Sequence, residues 1–297
     1  MLKVRFKIEM KKIDGTFLVF MSAALFSMGG LFVKIIPWPA LPLNGIRCLI
    51  SVSVLAIYMA ASHHKLKITK SVLIGAVCSF GTNILYTLAN KMTTAANTIV
   101  LQFTAPVFII FFMWLFFREK PKKLDVAACV CVFIGIVFFF VDSLSAGNMT
   151  GNMLALISGV TYAGVFMMNR LPGGDPLSSI ILGHGLGAIT GLPSAITGGY
   201  ELNTSIAVCL FVLGVFQMAV AYICLCEGLR DTPPVTASLV SGIEPILNPV
   251  LVAVFYHETI GTVSLIGAVI VIFSIVLYNV LKEKQGCVSD TAEAAKI

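Results

Sequence analysis

Long apolar runs, separated by short polar or Pro/Gly segments, follow one another along almost the whole chain. A helix needs about 20 mainly apolar residues to cross the hydrocarbon core of a bilayer. Ten of the runs approach that length, which predicts ten membrane-spanning helices. Their approximate limits are residues 17–35, 43–61, 71–89, 95–117, 125–141, 153–168, 177–196, 205–225, 235–256 and 262–281.

The composition also indicates that a bilayer is the solvent of this chain. Hydrophobic residues make up 58% and charged residues only 11%, with a mean hydropathy of +0.97, whereas soluble domains carry about a quarter charged residues. The basic segment before the first run could be the start of a signal peptide. That run is long enough to span, so we interpret it as the first helix. The chain is therefore predicted to be an all-α integral membrane protein.

Basic residues are concentrated in alternate connecting segments. Lysine and arginine are retained on the cytoplasmic side of membrane proteins. With the N-terminus inside, seventeen of the twenty Lys and Arg residues fall in cytoplasmic segments. This distribution predicts a multi-pass protein of the cytoplasmic, or inner, membrane with both termini inside. The net charge of +6 is then a topology signal, and no nucleic-acid partner is predicted.

A proline followed by a glutamate thirteen residues later occurs twice, as Pro106 with Glu119 and as Pro245 with Glu258. The copies lie 139 residues apart, a shift of five predicted spans. Because five is odd, the second copy crosses the membrane in the opposite direction. The two glutamates would then mark helix ends on opposite faces of the membrane, as structural or gating residues.

This repeat divides the chain into two halves. We predict two inverted five-helix repeats around a central cavity, residues 1–142 and 150–284, followed by a cytoplasmic tail at 285–297. Inverted repeats are typical of transporters that open alternately to the two sides of the membrane.

Glu244 is the polar residue that hydrocarbon would reject most strongly. It lies nine residues into the ninth predicted span, roughly 14 Å from its start. An ionised acid there costs on the order of 3 kcal/mol, so Glu244 should face a cavity or carry a proton. The alternative is a neutral glutamate that only ties helices together. Ser241 and Asn248 share its helix face and are predicted substrate contacts with it.

Three prolines within the spans are candidate hinges, namely Pro106, Pro245 and Pro249. A proline has no amide hydrogen, so the carbonyl four residues earlier loses its helical partner. The carbonyls of Gln102 and Ser241 could then accept from a ligand, water or a neighbouring helix. Static kinks are the alternative.

Arg47 is predicted to lie about 6 Å inside the second span. Its guanidinium suits a carboxylate, so it could pair with Glu244 or, together with Glu244, hold a zwitterionic substrate. Other predicted cavity residues are aromatic or amide side chains, each with interhelical hydrogen bonding as the alternative. They are Asn83, Tyr86, Gln102, Tyr162, Gln217 and Tyr222.

Glycines within the predicted spans have two predicted roles. Gly183, Gly187 and Gly191 are four residues apart and form one ridge, which predicts close helix packing. His184, beside this ridge, is interpreted as packing or a helix contact. Gly29, followed by a second glycine in the first span, offers a place where a ligand could approach the backbone.

The repeated segments resemble a known family. The chain contains QFTAPVFIIFFMWLFFREK, SGIEPILNPVLVAVFYHE and GIRCLI, and these resemble the EamA family of the drug/metabolite transporter superfamily over nearly the whole chain, as two units. The resemblance implies ten helices in inverted halves, a central cavity lined by both halves, and peripheral fifth and tenth helices. It also implies export or exchange of amino acids and other small metabolites.

The predicted function is secondary active transport of a small amphiphilic, amino-acid-like metabolite, as an exporter or exchanger. Alternatives are a passive channel or facilitator, and an organic-anion or nucleotide-sugar exchanger of the same superfamily. Basic residues of the second half lie only at predicted helix ends or in the tail, which disfavours organic phosphates. The chain has no HExxH or GxSxG motif and no ATP-binding loop, so we expect no enzyme, cofactor or metal. Protons or a counter-substrate would supply the energy.

Overall fold

The computed structural model describes residues 14–93, 95–139, 148–247 and 262–294. These residues are almost entirely helical, and no strand occurs among them. The α-helices are α1 (Gly15–Phe26), α2 (Gly29–Ile35), α3 (Ala40–Ala61), α4 (Lys70–Met92), α5 (Ala95–Gln102), α6 (Ala105–Phe117), α7 (Lys123–Phe139), α8 (Met149–Phe166), α9 (Pro176–Thr197), α10 (Thr204–Val212), α11 (Ala221–Asp231), α12 (Pro234–Val240) and α13 (Thr262–Ala294). Other helical segments are the 3₁₀ turns Met168–Arg170 and Ser241–Ile243 and the π-helix Leu213–Val220.

Eight helical stretches in the described ranges are long and apolar enough to cross a membrane. They are Gly15–Val33, Ala40–Ala61, Lys70–Met92, Asn97–Phe117, Met149–Phe166, Pro176–Thr197, Thr204–Asp231 and Leu265–Lys282. They coincide with all the predicted spans except the fifth and the ninth. The prediction of an all-α integral membrane protein is thereby confirmed.

The fifth and ninth predicted spans correspond to shorter helices. The fifth is α7, which has 17 residues. The ninth is the apolar stretch Pro234–Leu247, and residues 248–261 lie outside the described ranges. The ten-helix inverted repeat therefore stays a prediction. At the other end of the second half, α13 extends to Ala294 and so continues into the predicted tail.

Polar side chains fix several helix starts. Thr69 Oγ1 accepts from the Val72 amide at 3.1 Å at the start of α4, and Asn203 Oδ1 accepts from the Ile206 amide at 2.8 Å at the start of α10. Asn148 caps α8 in the same way. Such caps satisfy amides that have no acceptor within the first turn of a helix. The polar residues between the apolar runs thus determine where these helices begin.

Glycines on α9 let this helix pack closely against α3 and α4. A Cβ at Gly187 would lie 2.5 Å from Cys48 Sγ, and one at Gly191 would lie 2.5 Å from Gly45 Cα. A Cβ at Gly183 would lie 2.6 Å from a carbonyl oxygen of α4. These spaces admit only hydrogen, so the predicted ridge is a packing surface that joins the two predicted halves.

Two of the predicted hinge prolines follow local departures from α-helical geometry. Pro106 comes just after the break between α5 and α6, where the Thr104 amide and hydroxyl both donate to the Leu101 carbonyl, at 3.3 and 2.7 Å. Pro245 follows the 3₁₀ turn Ser241–Ile243. Both departures are consistent with the missing amide hydrogen of proline.

Candidate substrate-binding site

Helices of both predicted halves surround a central cavity of about 30 Å³. This volume has room for only about two water molecules. The cavity is lined by Phe26, Arg47, Thr82, Asn83, Tyr86, Gln102, Tyr162, Gln217, Tyr222 and Glu244. All of these except Phe26 and Thr82 are substrate contacts predicted from the sequence. The structure thus brings eight predicted residues, from both halves, to one place.

Arg47 lies on α3 and is almost fully buried, with 1% of its surface exposed. Its Nη1 donates to Thr87 Oγ1 at 3.3 Å, and its Nη2 donates to Gln217 Oε1 at 3.1 Å. Among the described residues, Nε has no hydrogen-bond partner, and no carboxylate forms an ion pair with the guanidinium. Direct pairing with Glu244, one of the two alternatives for Arg47, is therefore not present in this conformation. The cavity holds a buried cation whose contacts are neutral.

Gln217 reaches Arg47 from the π-helix Leu213–Val220. Such wide turns are frequent at functional sites. The amide of Gln217 also occupies the space beside Gly29, because a Cβ there would lie 2.9 Å from Gln217 Nε2. The sequence indicated Gly29 as a place where a ligand could approach the backbone. A protein side chain lies there instead.

Asn83 of α4 is at the centre of a hydrogen-bond network that joins the two predicted halves. Its Nδ2 lies 2.9 Å from the Ser79 carbonyl and 3.3 Å from Tyr222 Oη. The same nitrogen lies 3.3 Å from His184 Nε2, and His184 Nδ1 lies 2.8 Å from Ser51 Oγ. The rings of His184 and Tyr222 meet edge-on with centroids 4.9 Å apart. His184 is thus a helix contact, as expected, and it positions two cavity residues.

Glu244 is the acidic residue of the cavity wall. Its Oε2 accepts from Tyr162 Oη at 3.5 Å, which is long for such a bond. Ser241 is buried one turn before it, and its hydroxyl has no hydrogen-bond partner in the described part of the chain. Asn248, predicted to share this face, lies outside the described residues. Among the described residues, Glu244 therefore has one side-chain hydrogen bond, whereas Arg47 has two.

The carbonyls released by the prolines are covered by protein groups. The Gln102 carbonyl packs against Gly159 of α8, where a Cβ would lie 2.9 Å from the oxygen. The Ser241 carbonyl accepts from the Glu244 amide within the 3₁₀ turn. The neighbouring helix α8 thus packs against the Gln102 carbonyl, and its predicted acceptor role stays a prediction. Pro249 lies outside the described residues.

Glu119, predicted to mark a helix end, forms an ion pair with Arg170, which follows α8 in the second predicted half. The Arg170 guanidinium also lies 5.8 Å from the centroid of the Phe117 ring. The pair joins the halves at the end of the molecule that the sequence predicts to be cytoplasmic. Its predicted counterpart Glu258 lies outside the described residues.

Two lining residues had no signal of their own in the sequence. Phe26 meets Tyr222 edge-on, with ring centroids 4.9 Å apart. The Thr82 hydroxyl donates to the Cys78 carbonyl at 2.8 Å and lies 3.0 Å from the Thr161 hydroxyl. Thr82 is adjacent to Asn83 in the sequence, so a wider interpretation of that polar stripe would have included it.

The wall of the cavity combines one cation, one carboxyl group, amides and aromatic rings. Sites of this composition suit small molecules with polar ends and an apolar part. No group of three or more His, Cys, Asp or Glu residues suited to a metal occurs in the described ranges. A polar cavity at the centre of a multi-pass helical protein is typical of membrane transporters.

Comparison with known proteins identifies the family within that class. The sequence model of the EamA-like transporter family matches residues 14–141 and 149–280. The chain therefore belongs to this family, which is part of the drug/metabolite transporter superfamily. The two matches correspond to the two predicted halves.

Similar proteins are described as transporters without further characterisation. An uncharacterized transporter of Clostridium kluyveri is 30% identical over 204 residues, which are 63% of this chain and 64% of that protein. The uncharacterized inner membrane transporter YedA of Escherichia coli K12 is 24% identical, with 82% of this chain and 83% of YedA covered. The uncharacterized transporter YxxF of Bacillus subtilis 168 is 22% identical, with 93% and 92% covered.

A solved crystal structure supports the fold. It superposes with a TM-score of 0.76 at 17% sequence identity, and the match covers 90% of this chain and 97% of the other. The family, the relatives and the helices together identify a multi-pass membrane transporter, and the E. coli relative suggests the inner membrane.

Proposed function

We propose that this protein is a secondary transporter of a small amphiphilic, amino-acid-like metabolite and that Arg47 binds the carboxylate of this substrate. The observation that supports this proposal is the buried guanidinium with neutral partners and an unpaired Nε. A buried charge without a counter-ion is unfavourable. A carboxylate can supply the missing charge and accept from two guanidinium N–H groups at once.

Glu244 has a complementary role in this proposal. It lines the same cavity as Arg47 without pairing with it, so it is available to a substrate amine or to a coupling proton. The rings of Tyr86, Tyr162 and Tyr222 would contact the apolar part of the substrate. A zwitterion of amino-acid size carries both complementary charges.

The small size of the cavity supports alternating access as the mechanism in this proposal. A space of about 30 Å³ does not admit a metabolite, so the helices must separate on one side before binding. This requirement favours a carrier over a passive channel. One buried guanidinium is also a poor match for an organic phosphate, which prefers several cationic groups. We propose outward transport or exchange, driven by a proton or counter-substrate gradient.

The binding proposal is tested by thermal stabilisation of the purified protein with defined compounds. These are the L-amino acids, their methyl esters, the corresponding decarboxylated amines and sugar phosphates. A ligand that binds the folded state at 100 times its Kd stabilises it by about 2.7 kcal/mol. We expect stabilisation by a subset of the amino acids, and none by their esters or amines.

Substitutions connect this result to the site. Arg47→Gln should remove the stabilisation, and Arg47→Lys should retain part of it. Ser53→Ala, on the exposed face of the same helix α3, should leave it unchanged. Equal stabilisation by esters and acids, or a response mainly to sugar phosphates, would contradict the proposal.

A further inference from the structure

A second, larger cavity lies at the end of the molecule that the sequence predicts to be cytoplasmic. Its volume is about 170 Å³. Its walls include His64 and Lys67 after α3, Asp175 and Leu177 at the start of α9, and Cys226 and Arg230 on α11. We call it the vestibule. None of these residues belongs to the central cavity.

The charges of the vestibule are arranged unequally. Asp175 is buried, with 6% of its side chain exposed, and it accepts from His64 Nε2 at 2.8 Å and from Ser178 Oγ at 3.2 Å. Lys67 and Arg230, by contrast, are 59% and 54% exposed. The carboxylate is therefore already satisfied, whereas the two cations remain accessible to a solute.

The glutamate that pairs with Arg230 also has a second hydrogen-bond partner. Glu227 pairs with Arg230 but is only 16% exposed, and it accepts from Tyr58 Oη at 3.3 Å. Lys67 Nζ lies 3.6 Å from Asp175, beyond hydrogen-bond distance. An anion that enters the vestibule thus meets two exposed cations, whereas the side chains of Asp175 and Glu227 are largely buried.

The vestibule is aligned with the central cavity along one helix. Tyr222, Cys226 and Arg230 are four residues apart on α11 and so share one face, with about 6 Å between successive residues along the axis. Tyr222 lines the central cavity, whereas Cys226 and Arg230 line the vestibule. The buried side chains of Leu177 and Cys226 lie at the vestibule wall.

We propose that the vestibule is a second substrate site, where Lys67 and Arg230 bind the carboxylate of the substrate on its way to or from Arg47. This inference rests on the proposed function for the identity of the anion. The exposed cations attract the carboxylate from solution. Arg47, one layer deeper, then takes it when α9 and α11 separate.

A cysteine that replaces Asn169, an exposed residue of the vestibule wall, serves as the reporter (Asn169→Cys). This variant in liposomes is treated with two methanethiosulfonates, one carrying a sulfonate and the other a trimethylammonium group. Modification at position 169 is followed by mass spectrometry, and each rate is divided by the rate with free 2-mercaptoethanol. We expect the normalised rate to be at least about fivefold higher for the sulfonate, with reagent applied on the side of Lys67.

Charge variants show whether the named cations cause this preference. Lys67→Gln and Arg230→Gln should each lower the ratio of the two rates by about threefold. Lys65→Gln removes an exposed charge from the same loop but not from the vestibule, so the ratio should not change. A ratio near one, a ratio insensitive to Lys67 and Arg230, or no modification of Asn169→Cys by either reagent would contradict the proposal.

A protection experiment connects the vestibule to transport. An amino acid that stabilises the protein should slow the sulfonate reaction of Asn169→Cys, and the corresponding decarboxylated amine should not. In Arg47→Gln the charge preference should remain. If the preference is absent while amino acids still stabilise through Arg47, this proposal is wrong and the proposed function stands. If the preference is present but amino acids neither stabilise nor protect, the proposed function is wrong, and the substrate assignment of the vestibule with it.

Discussion

Arg47 and Glu244 line the same cavity, but the walls that carry them are built differently. Arg47 lies within the regular helix α3 and donates to two neutral partners. Glu244 follows a 3₁₀ turn, precedes Pro245 and has one hydrogen bond, of 3.5 Å, to the side chains that the structure describes. The cation is thus held by two partners, whereas the acid lies next to a break in α-helical geometry.

This difference matters for transport. A fixed guanidinium loses little freedom when a carboxylate binds, which favours affinity. A 3₁₀ turn followed by a proline is a place where a helix can bend. We therefore expect Arg47 to act in binding in every state of the cycle. Glu244 should act in the step that couples binding to the opening of the cavity.

The largest expected effect separates these roles by comparing two modes of transport in proteoliposomes. Arg47→Gln should reduce both counterflow exchange and pH-driven net transport by at least about 30-fold, because an unpaired charged partner costs about 2–5 kcal/mol. Glu244→Gln should reduce pH-driven net transport by about tenfold and leave exchange largely intact, if the carboxyl group carries the coupling proton. The substrate is the amino acid found by thermal stabilisation.

The two modes also distinguish the two proposed partners of Glu244. Loss of both modes in Glu244→Gln would indicate that the carboxylate binds the substrate amine. Unchanged transport and unchanged pH dependence in Glu244→Gln would remove Glu244 from the mechanism. Ser53→Ala on the exposed face of α3 is the control for protein yield and orientation.

A smaller effect, on stability, is expected where helices pack behind the wall that carries Arg47 and behind the wall that carries Glu244. Gly191→Ala, behind α3, would place a Cβ 2.5 Å from Gly45 Cα. Backbone cannot yield easily, so we expect a loss of about 1–3 kcal/mol. Gly242→Ala, beside Glu244, would meet the side chain of Val132 at 3.1 Å, and a side chain can adjust. Its loss should be less than about 1 kcal/mol.

Thermal unfolding of the purified variants checks this difference. The melting temperature should fall by several degrees for Gly191→Ala, because about 1 kcal/mol corresponds to about 2–4 °C in proteins of 150–250 residues. Gly185→Ala is the control on the same helix, since nothing lies within 4 Å of its added Cβ. Equal losses for Gly191→Ala and Gly242→Ala would show that the two walls are equally rigid.

The residues that line the cavity were predictable from the sequence, whereas the hydrogen bonds among them were not. Hydrocarbon rejects polar groups, so the polar stripes containing Asn83, Gln217 and Glu244 had to face inward, and they do. The partners of these residues depend on helix rotation and on contacts between distant segments. The Arg47–Gln217 bond, for example, joins residues 170 positions apart.

Two features of the site had no local sequence signal. The π-helix Leu213–Val220 widens a turn in a run that is apolar apart from Gln217, and hydrophobic periodicity does not distinguish it from an α-helix. The vestibule unites residues of three separate segments, each of which resembles an ordinary solvated helix end. Inversion of the repeat followed from counting charges and stays a prediction.

The smallest expected effect concerns the ion pair at the end of α6, the helix that begins at the Pro106 break. Glu119 and Arg170 are exposed, and exposed pairs contribute about 0–1 kcal/mol. If the helices with irregular segments are the ones that move, opening on this side must break the pair. Glu119→Gln and Arg170→Gln should then raise the exchange rate about two- to fivefold, the factor that corresponds to about 0.5–1 kcal/mol.

Stability and rate together decide this last prediction. The melting temperature should change by less than about 4 °C, and the double variant should exchange no faster than the faster single variant, because one contact is removed in all three. Lys120→Gln removes a neighbouring exposed charge that forms no ion pair with described residues, so its exchange rate should match the unmodified protein. Unchanged exchange in Glu119→Gln and Arg170→Gln would mean that α6 keeps its place during transport, so that movement would have to come from the Glu244 wall alone.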